Sequence, residues 1–74
     1  PDRIVDLGAG SGRFSVAAGR LFPKAEVLAV EIDPLACLIA RANFSVHGLG
    51  ARARVVSCDY RSLDLAPIKG STLF

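Results

Sequence analysis

Carboxylates and glycines gather at three places in the 74-residue sequence, and each grouping suits the binding of a polar ligand. The first is Asp6-Leu7-Gly8-Ala9-Gly10-Ser11-Gly12. Glycines at alternate positions let the chain turn sharply without Cβ clashes and let a ligand approach the main chain. Amides at a helix N-terminus beyond such a turn favour a carboxylate or a phosphate. The second is Glu31, roughly twenty residues further on, where an acidic side chain at a strand end accepts hydrogen bonds from both hydroxyls of a ribose. Asp33 competes for that role, but Pro34 directly after it makes helix capping its expected task. The third is Cys58-Asp59-Tyr60, an acidic residue closing an apolar run. Each grouping also has an ordinary structural reading: a strand-to-helix turn, a solvated carboxylate and a turn-forming Asp.

Strands that end at these groups would hold them together. Arg3-Ile4-Val5-Asp6-Leu7 is a short β-branched run that stops at glycines, as a buried parallel strand does. From about Ser11 to Phe22 the apolar spacing is helical, with Phe14, Ala17, Ala18 and Leu21 on one face, and Pro23 ends the helix. Glu26-Val27-Leu28-Ala29-Val30-Glu31 reads as a second strand. Asp33-Pro34 opens a second helix with the expected stripe Leu35, Leu38, Ile39, Ala42 and Val46, and Gly48 sits where a left-handed cap belongs. Arg54-Val55-Val56-Ser57-Cys58 reads as a third strand, and a loop from Asp59 to Gly70 leads into the start of a fourth. No internal repeat or low-complexity tract interrupts this order. The fold class is α/β, a βαβαβ unit on a parallel sheet. In open sheets of this kind ligands bind beyond the carboxyl ends of the strands, next to the point where strand order reverses. All three groupings fall at such ends.

The dinucleotide-binding fingerprint is G-x-G-x-x-G, whereas here the third glycine comes one residue early, at Gly12, and Arg13 fills the expected place. That spacing has Asp6 two residues ahead of Gly8, Glu31 closing the second strand and Asp59 closing the third. It resembles the class I S-adenosylmethionine-dependent methyltransferases over nearly the whole chain. The resemblance implies a Rossmann-like three-layer αβα fold and S-adenosylmethionine as cofactor. It implies a cofactor site of Asp6, Gly8, Ala9, Gly10, Gly12, Glu31, Ile32, Asp59 and Tyr60. Asp6 and the Gly8 to Gly12 loop would take the methionine end, Glu31 the ribose, Ile32 an adenine face and Asp59 the adenine exocyclic amine. Tyr60 either packs against the base or covers the loop. Because the sulfonium already makes its methyl group electrophilic, the protein's task would be to bind and align it against a nucleophile.

No catalytic residue is expected within the chain. In amine-directed members of the family the next strand ends in an Asn/Asp-Pro-Pro-Tyr type motif, and here the fourth strand has only begun at Phe74. Val30-Glu31-Ile32-Asp33-Pro34-Leu35-Ala36, the run Ala40-Arg41-Ala42-Asn43 and the short Asp59 to Phe74 spacing are similar to adenine-specific DNA methylases of restriction-modification type. Such enzymes flip the target base out of the duplex. The implied function is methyl transfer to the exocyclic amine of adenine in DNA, with RNA or a protein glutamine as alternative acceptors. A nucleotide-binding dehydrogenase module and a non-catalytic Rossmann module are the readings from other classes.

Composition agrees with a globular chain: 51% of residues are apolar and the formal net charge is +2. The absence of an initiator Met and the closing Ser71-Thr72-Leu73-Phe74 lead us to expect that residues 1–74 are the S-adenosylmethionine-binding part of a methyltransferase domain. As a fragment of a longer chain it would be inactive alone. The nine basic residues are scattered and read as solvated surface, so a nucleic-acid partner, DNA before RNA, would be held by residues outside the chain. Cys37 and Cys58, without a CxxC or a His-rich neighbourhood, read as two buried reduced thiols, and no metal site is expected. His47 would interact with the dipole of a last helical turn, and one histidine cannot build a Ser/His/Asp or Cys/His arrangement. No run has the length of a membrane span or the layout of a signal peptide, so the cytoplasm is the expected compartment and no membrane partner is expected.

Overall fold

The computed structural model describes residues 2–59, Arg61 and the backbone of residues 71–73. The β-branched runs form three strands, β1 (Arg3–Leu7), β2 (Glu26–Glu31) and β3 (Ala53–Ser57), linked by α1 (Arg13–Leu21) and α2 (Pro34–Val46). The short strand β4 (Ser71–Leu73) completes a parallel sheet of order β3-β2-β1-β4. The chain steps outward from β1 to β2 to β3 and then returns to the other side of β1. The strand order therefore reverses between β1 and β4, where open α/β sheets bind their ligands. The expected loop between Asp59 and Gly70 falls largely outside the described residues, as does Tyr60.

Both helices lie on one face of the sheet, over a core of Ile4, Val27, Ala29 and Val55 from the strands and Val16, Ala18, Cys37, Ala40 and Phe44 from the helices. Val5 and Val30 alternate to the opposite face and are buried as well. Helix ends follow local chemistry. Asp33 caps α2, its Oδ1 accepting from the Leu35 N–H at 3.0 Å, with Pro34 at the first helical position. Gly48 takes φ +74°, the left-handed conformation that closes a helix.

The helix faces differ from those expected. α1 buries Ser15, Val16, Ala18 and Gly19, while Phe14, Ala17 and Leu21 face outward, Leu21 at 73% exposure. α2 buries Cys37, Ala40 and Phe44 and turns Leu35, Leu38, Ile39, Ala42 and Val46 outward. The reason is close approach. A Cβ on Gly19 would stand 3.1 Å from Leu49 and 3.3 Å from Val27, so α1 meets the sheet layer through its smallest residues. At α2 the small residue is on the other side of the contact: Ala40 and Phe44 are turned inward against Gly12, whose missing Cβ leaves them room.

Two further expectations change. Cys37 is buried and free, but Cys58 is only half-buried. Arg52 is not simply a solvated surface charge. Its guanidinium donates to the carbonyls of Gly19 (2.6 Å), Ala25 (2.9 Å) and Phe22 (3.3 Å), tying the end of α1 to the start of β2. Among the described residues no helix is long and apolar enough to cross a membrane.

Candidate functional site

The glycine-rich loop leaves β1 and is fastened at once to the end of β2. The N–H groups of Gly8 and Ala9 both donate to the Val30 carbonyl, at 2.8 and 3.0 Å. Gly8, Gly10 and Gly12 all have positive φ (+73°, +58° and +82°), a backbone that L side chains adopt only at a cost. Among the described residues, a Cβ on Gly8 or Gly10 would meet nothing within 4 Å, so these residues leave open space over this part of the loop. Gly12 is different: a Cβ there would stand 3.1 Å from both Ala40 and Phe44. Two glycines thus keep the main chain bare toward solvent, and the third lets the loop lie against α2.

Glu31 ends β2 beside this loop. Its Oε1 accepts from the Gly10 N–H at 2.7 Å and its Oε2 from the Asp33 N–H at 3.0 Å. The backbone N–H of Asp33, then that of Gly10, favour the charged form and hold the Glu31 carboxyl below the usual glutamate range. The Glu31 carbonyl is fixed too, accepting from Cys58 N–H at 3.0 Å and from the Cys37 thiol at 3.4 Å. Asp6, two residues before Gly8 on β1, is buried, and Ser15 Oγ of α1 donates to its Oδ2 at 2.7 Å.

Asp59 lies just past β3 and is gripped by Arg61. The Arg61 N–H and Nε donate to Oδ1 at 3.0 Å each, and Nε and Nη2 reach Oδ2 at 3.0 and 2.5 Å. This guanidinium holds the Asp59 carboxyl down at about 2, from an ordinary 3.8. The Arg61 side chain is itself 77% exposed.

Gly8, Val30, Glu31, Ile32, Cys58, Asp59 and Arg61 line one cleft of about 230 Å³. It is smaller than the ~300–1,000 Å³ of pockets that enclose a drug-sized ligand. Four of the expected site residues, Gly8, Glu31, Ile32 and Asp59, share this cleft, with Ile32 presenting an exposed apolar side chain. Gly10 touches it through Glu31, whereas Asp6, Ala9 and Gly12 stand behind as supports of the loop. Arg61, which sequence reasoning placed among the scattered surface charges, is a lining residue. Among the described residues, the larger grooves beside Arg41 and Arg54 and between Arg13 and His47 are lined by no strand-end carboxylate. Among the described residues, no cluster of three His, Cys, Asp or Glu side chains could hold a metal ion.

A glycine-rich turn after β1 with an acidic residue closing each of the next two strands, on a sheet of order β3-β2-β1-β4, defines an α/β domain of the nucleotide-cofactor-binding class. The chain belongs to the family described as Methyltransferase domain, which matches residues 4–71. It is 57% identical over all 74 residues to the Type II methyltransferase M.XamI of Xanthomonas campestris pv. amaranthicola, and spans 14% of that protein. It is 32% identical over 74 residues to the tRNA1(Val) (adenine(37)-N6)-methyltransferase of Porphyromonas gingivalis, spanning 29% of it. Among solved structures it is similar to an RNA methyltransferase from Salinibacter ruber in complex with S-adenosyl-L-homocysteine. That likeness has a TM-score of 0.81 and 31% identity, and covers 88% of this chain and 42% of the other.

Proposed function

We propose that residues 1–74 form the S-adenosylmethionine-binding part of an enzyme that methylates the exocyclic amine of adenine in DNA. The observation that carries this reading is the 57% identity, without any part of the chain left out, to a Type II methyltransferase. Two features of the site support the cofactor reading. Bare backbone over Gly8 and Gly10 suits an approaching amino-acid group, and the Glu31 carboxylate beside it suits a diol. When bound, the cofactor supplies an electrophilic methyl group on its sulfonium. The residues of this chain bind and orient: the Gly8 to Gly12 loop takes the methionine end, Glu31 the ribose hydroxyls, Ile32 an adenine face and Asp59 the adenine amine. Asp6, held by Ser15, fixes the point where β1 gives way to the loop. Tyr60 belongs to the same proposed site by its position after Asp59.

An RNA acceptor is the second reading, favoured by the tRNA adenine-N6 relative and by the S. ruber RNA methyltransferase. The test uses the full-length protein. Calorimetric titration with S-adenosylhomocysteine should give saturable binding, and titration with NAD should give none. Incubation with S-adenosylmethionine and duplex DNA should yield N6-methyladenine. Product in tRNA but not in DNA would move the assignment to the second reading, and binding of NAD instead of S-adenosylhomocysteine would refute the cofactor.

A further inference from the structure

The glycine-rich loop has three tethers, and one of them comes from α2. Gly8 and Ala9 are held by Val30, and Gly10 by Glu31, all from the end of β2. Asn43, half-buried on the turn of α2 between Ala40 and Phe44, donates from Nδ2 to the Ser11 carbonyl at 2.8 Å. The other end of the same Ser11–Gly12 peptide unit is also fixed, because the Gly12 N–H donates to the Ala9 carbonyl at 3.0 Å. That plane lies between Gly10 at φ +58° and the first turn of α1, with Gly12 itself at φ +82°. A peptide unit next to glycines turns easily, since glycine has no Cβ to resist. With both its carbonyl and its N–H bonded, this one has a single orientation. Asn is also a weaker helix former than Ala, so a side chain that favours the helix alone would not be an amide.

We propose that Asn43 is a positioning residue of the cofactor site. It fixes the Ser11–Gly12 peptide plane, and thereby the edge of the loop that receives the amino-acid end of S-adenosylmethionine. The proposal rests on the cofactor reading given above. It predicts a division within the ligand: the amino-acid end depends on Asn43, and the nucleoside end, seated at Glu31, Ile32 and Asp59, does not.

The division is measurable by calorimetry on the full-length protein with two ligands. S-adenosylhomocysteine carries both ends, and 5′-methylthioadenosine has the nucleoside without the amino acid. Asn43→Ala removes the donor while keeping a good helix former, and Asn43→Asp removes it at nearly constant volume. For either variant the expected result is a loss of about five- to tenfold in affinity for S-adenosylhomocysteine, the scale of one hydrogen bond and the order it imposes. Affinity for 5′-methylthioadenosine should stay within about twofold of the unmutated protein. Equal losses for both ligands, or no loss for either, would overturn the proposal, as would failure of both variants to fold. If the unmutated protein itself ignores S-adenosylhomocysteine, the cofactor reading fails first and this proposal with it.

Discussion

Glu31 and Asp59 line the same cleft, yet they are held by different means. Glu31 is bonded by two backbone N–H groups, from Gly10 and Asp33, which belong to a loop and a helix start that are themselves fastened to the sheet. Asp59 is bonded by a neighbour two residues away, largely through the long, exposed side chain of Arg61. A backbone-held carboxylate keeps its geometry whether or not a ligand is present, because moving it would require moving a strand end. One held by an exposed side chain can trade partners at small cost, since surface ion pairs are worth little. The cleft thus has a pre-set end at Glu31 and an adaptable end at Asp59.

This contrast is open to attack from the rigid side first. Gly12→Val places a branched side chain where Ala40 and Phe44 leave no room, on a backbone with φ +82°. The expected loss of stability is about 3 kcal/mol, combining the left-handed backbone with overpacking, and chemical denaturation of the full-length protein reads it. Next, Glu31→Ala removes both the proposed diol acceptor and the tether on Gly10. Cofactor affinity should fall by about 1–3 kcal/mol, the range for losing charge-assisted hydrogen bonds, as measured by calorimetry. An unchanged affinity in the folded variant would remove Glu31 from the site.

Arg61→Ala should have the smallest effect on binding, less than about fivefold, as befits an exposed pair. Its clearer signature is in titration. With Arg61 present, the Asp59 carboxyl is depressed to about 2, so the pair's contribution is complete above pH 3.8 and is lost as pH falls toward 2. In the variant, the carbon NMR signal of the Asp59 carboxyl should titrate above 2 and below 3.8, because the backbone N–H of residue 61 still donates to it. Glu31 should keep its lowered value in the same spectra, because its causes are backbone N–H groups that the substitution leaves in place.

The strands, the glycine loop and the placing of Gly8, Glu31, Ile32 and Asp59 in one cleft were legible in the sequence. β-branched runs, glycine spacing and strand-end carboxylates are local signals, and the alternation of elements then dictates which ends meet. The helix faces were not legible, because apolar spacing marks hydrophobic side chains and not the small ones that permit close approach. Ser15, Gly19 and Ala40 face inward on that account, while Phe14, Leu21 and Val46 face out. Arg52, Arg61 and Asn43 were also hidden. Each acts on partners that only the fold identifies: carbonyls about thirty residues away for Arg52 and Asn43, and for Arg61 a carboxylate whose place in the cleft comes from β3.

The most direct test is a crystal structure of the full-length protein with S-adenosylhomocysteine. Both ribose hydroxyls are expected within hydrogen-bond distance of the Glu31 carboxylate, with the amino-acid end over the Gly8 to Gly12 loop and the adenine between Ile32 and Asp59. A ligand bound elsewhere, or one whose ribose does not touch Glu31, would contradict this placement.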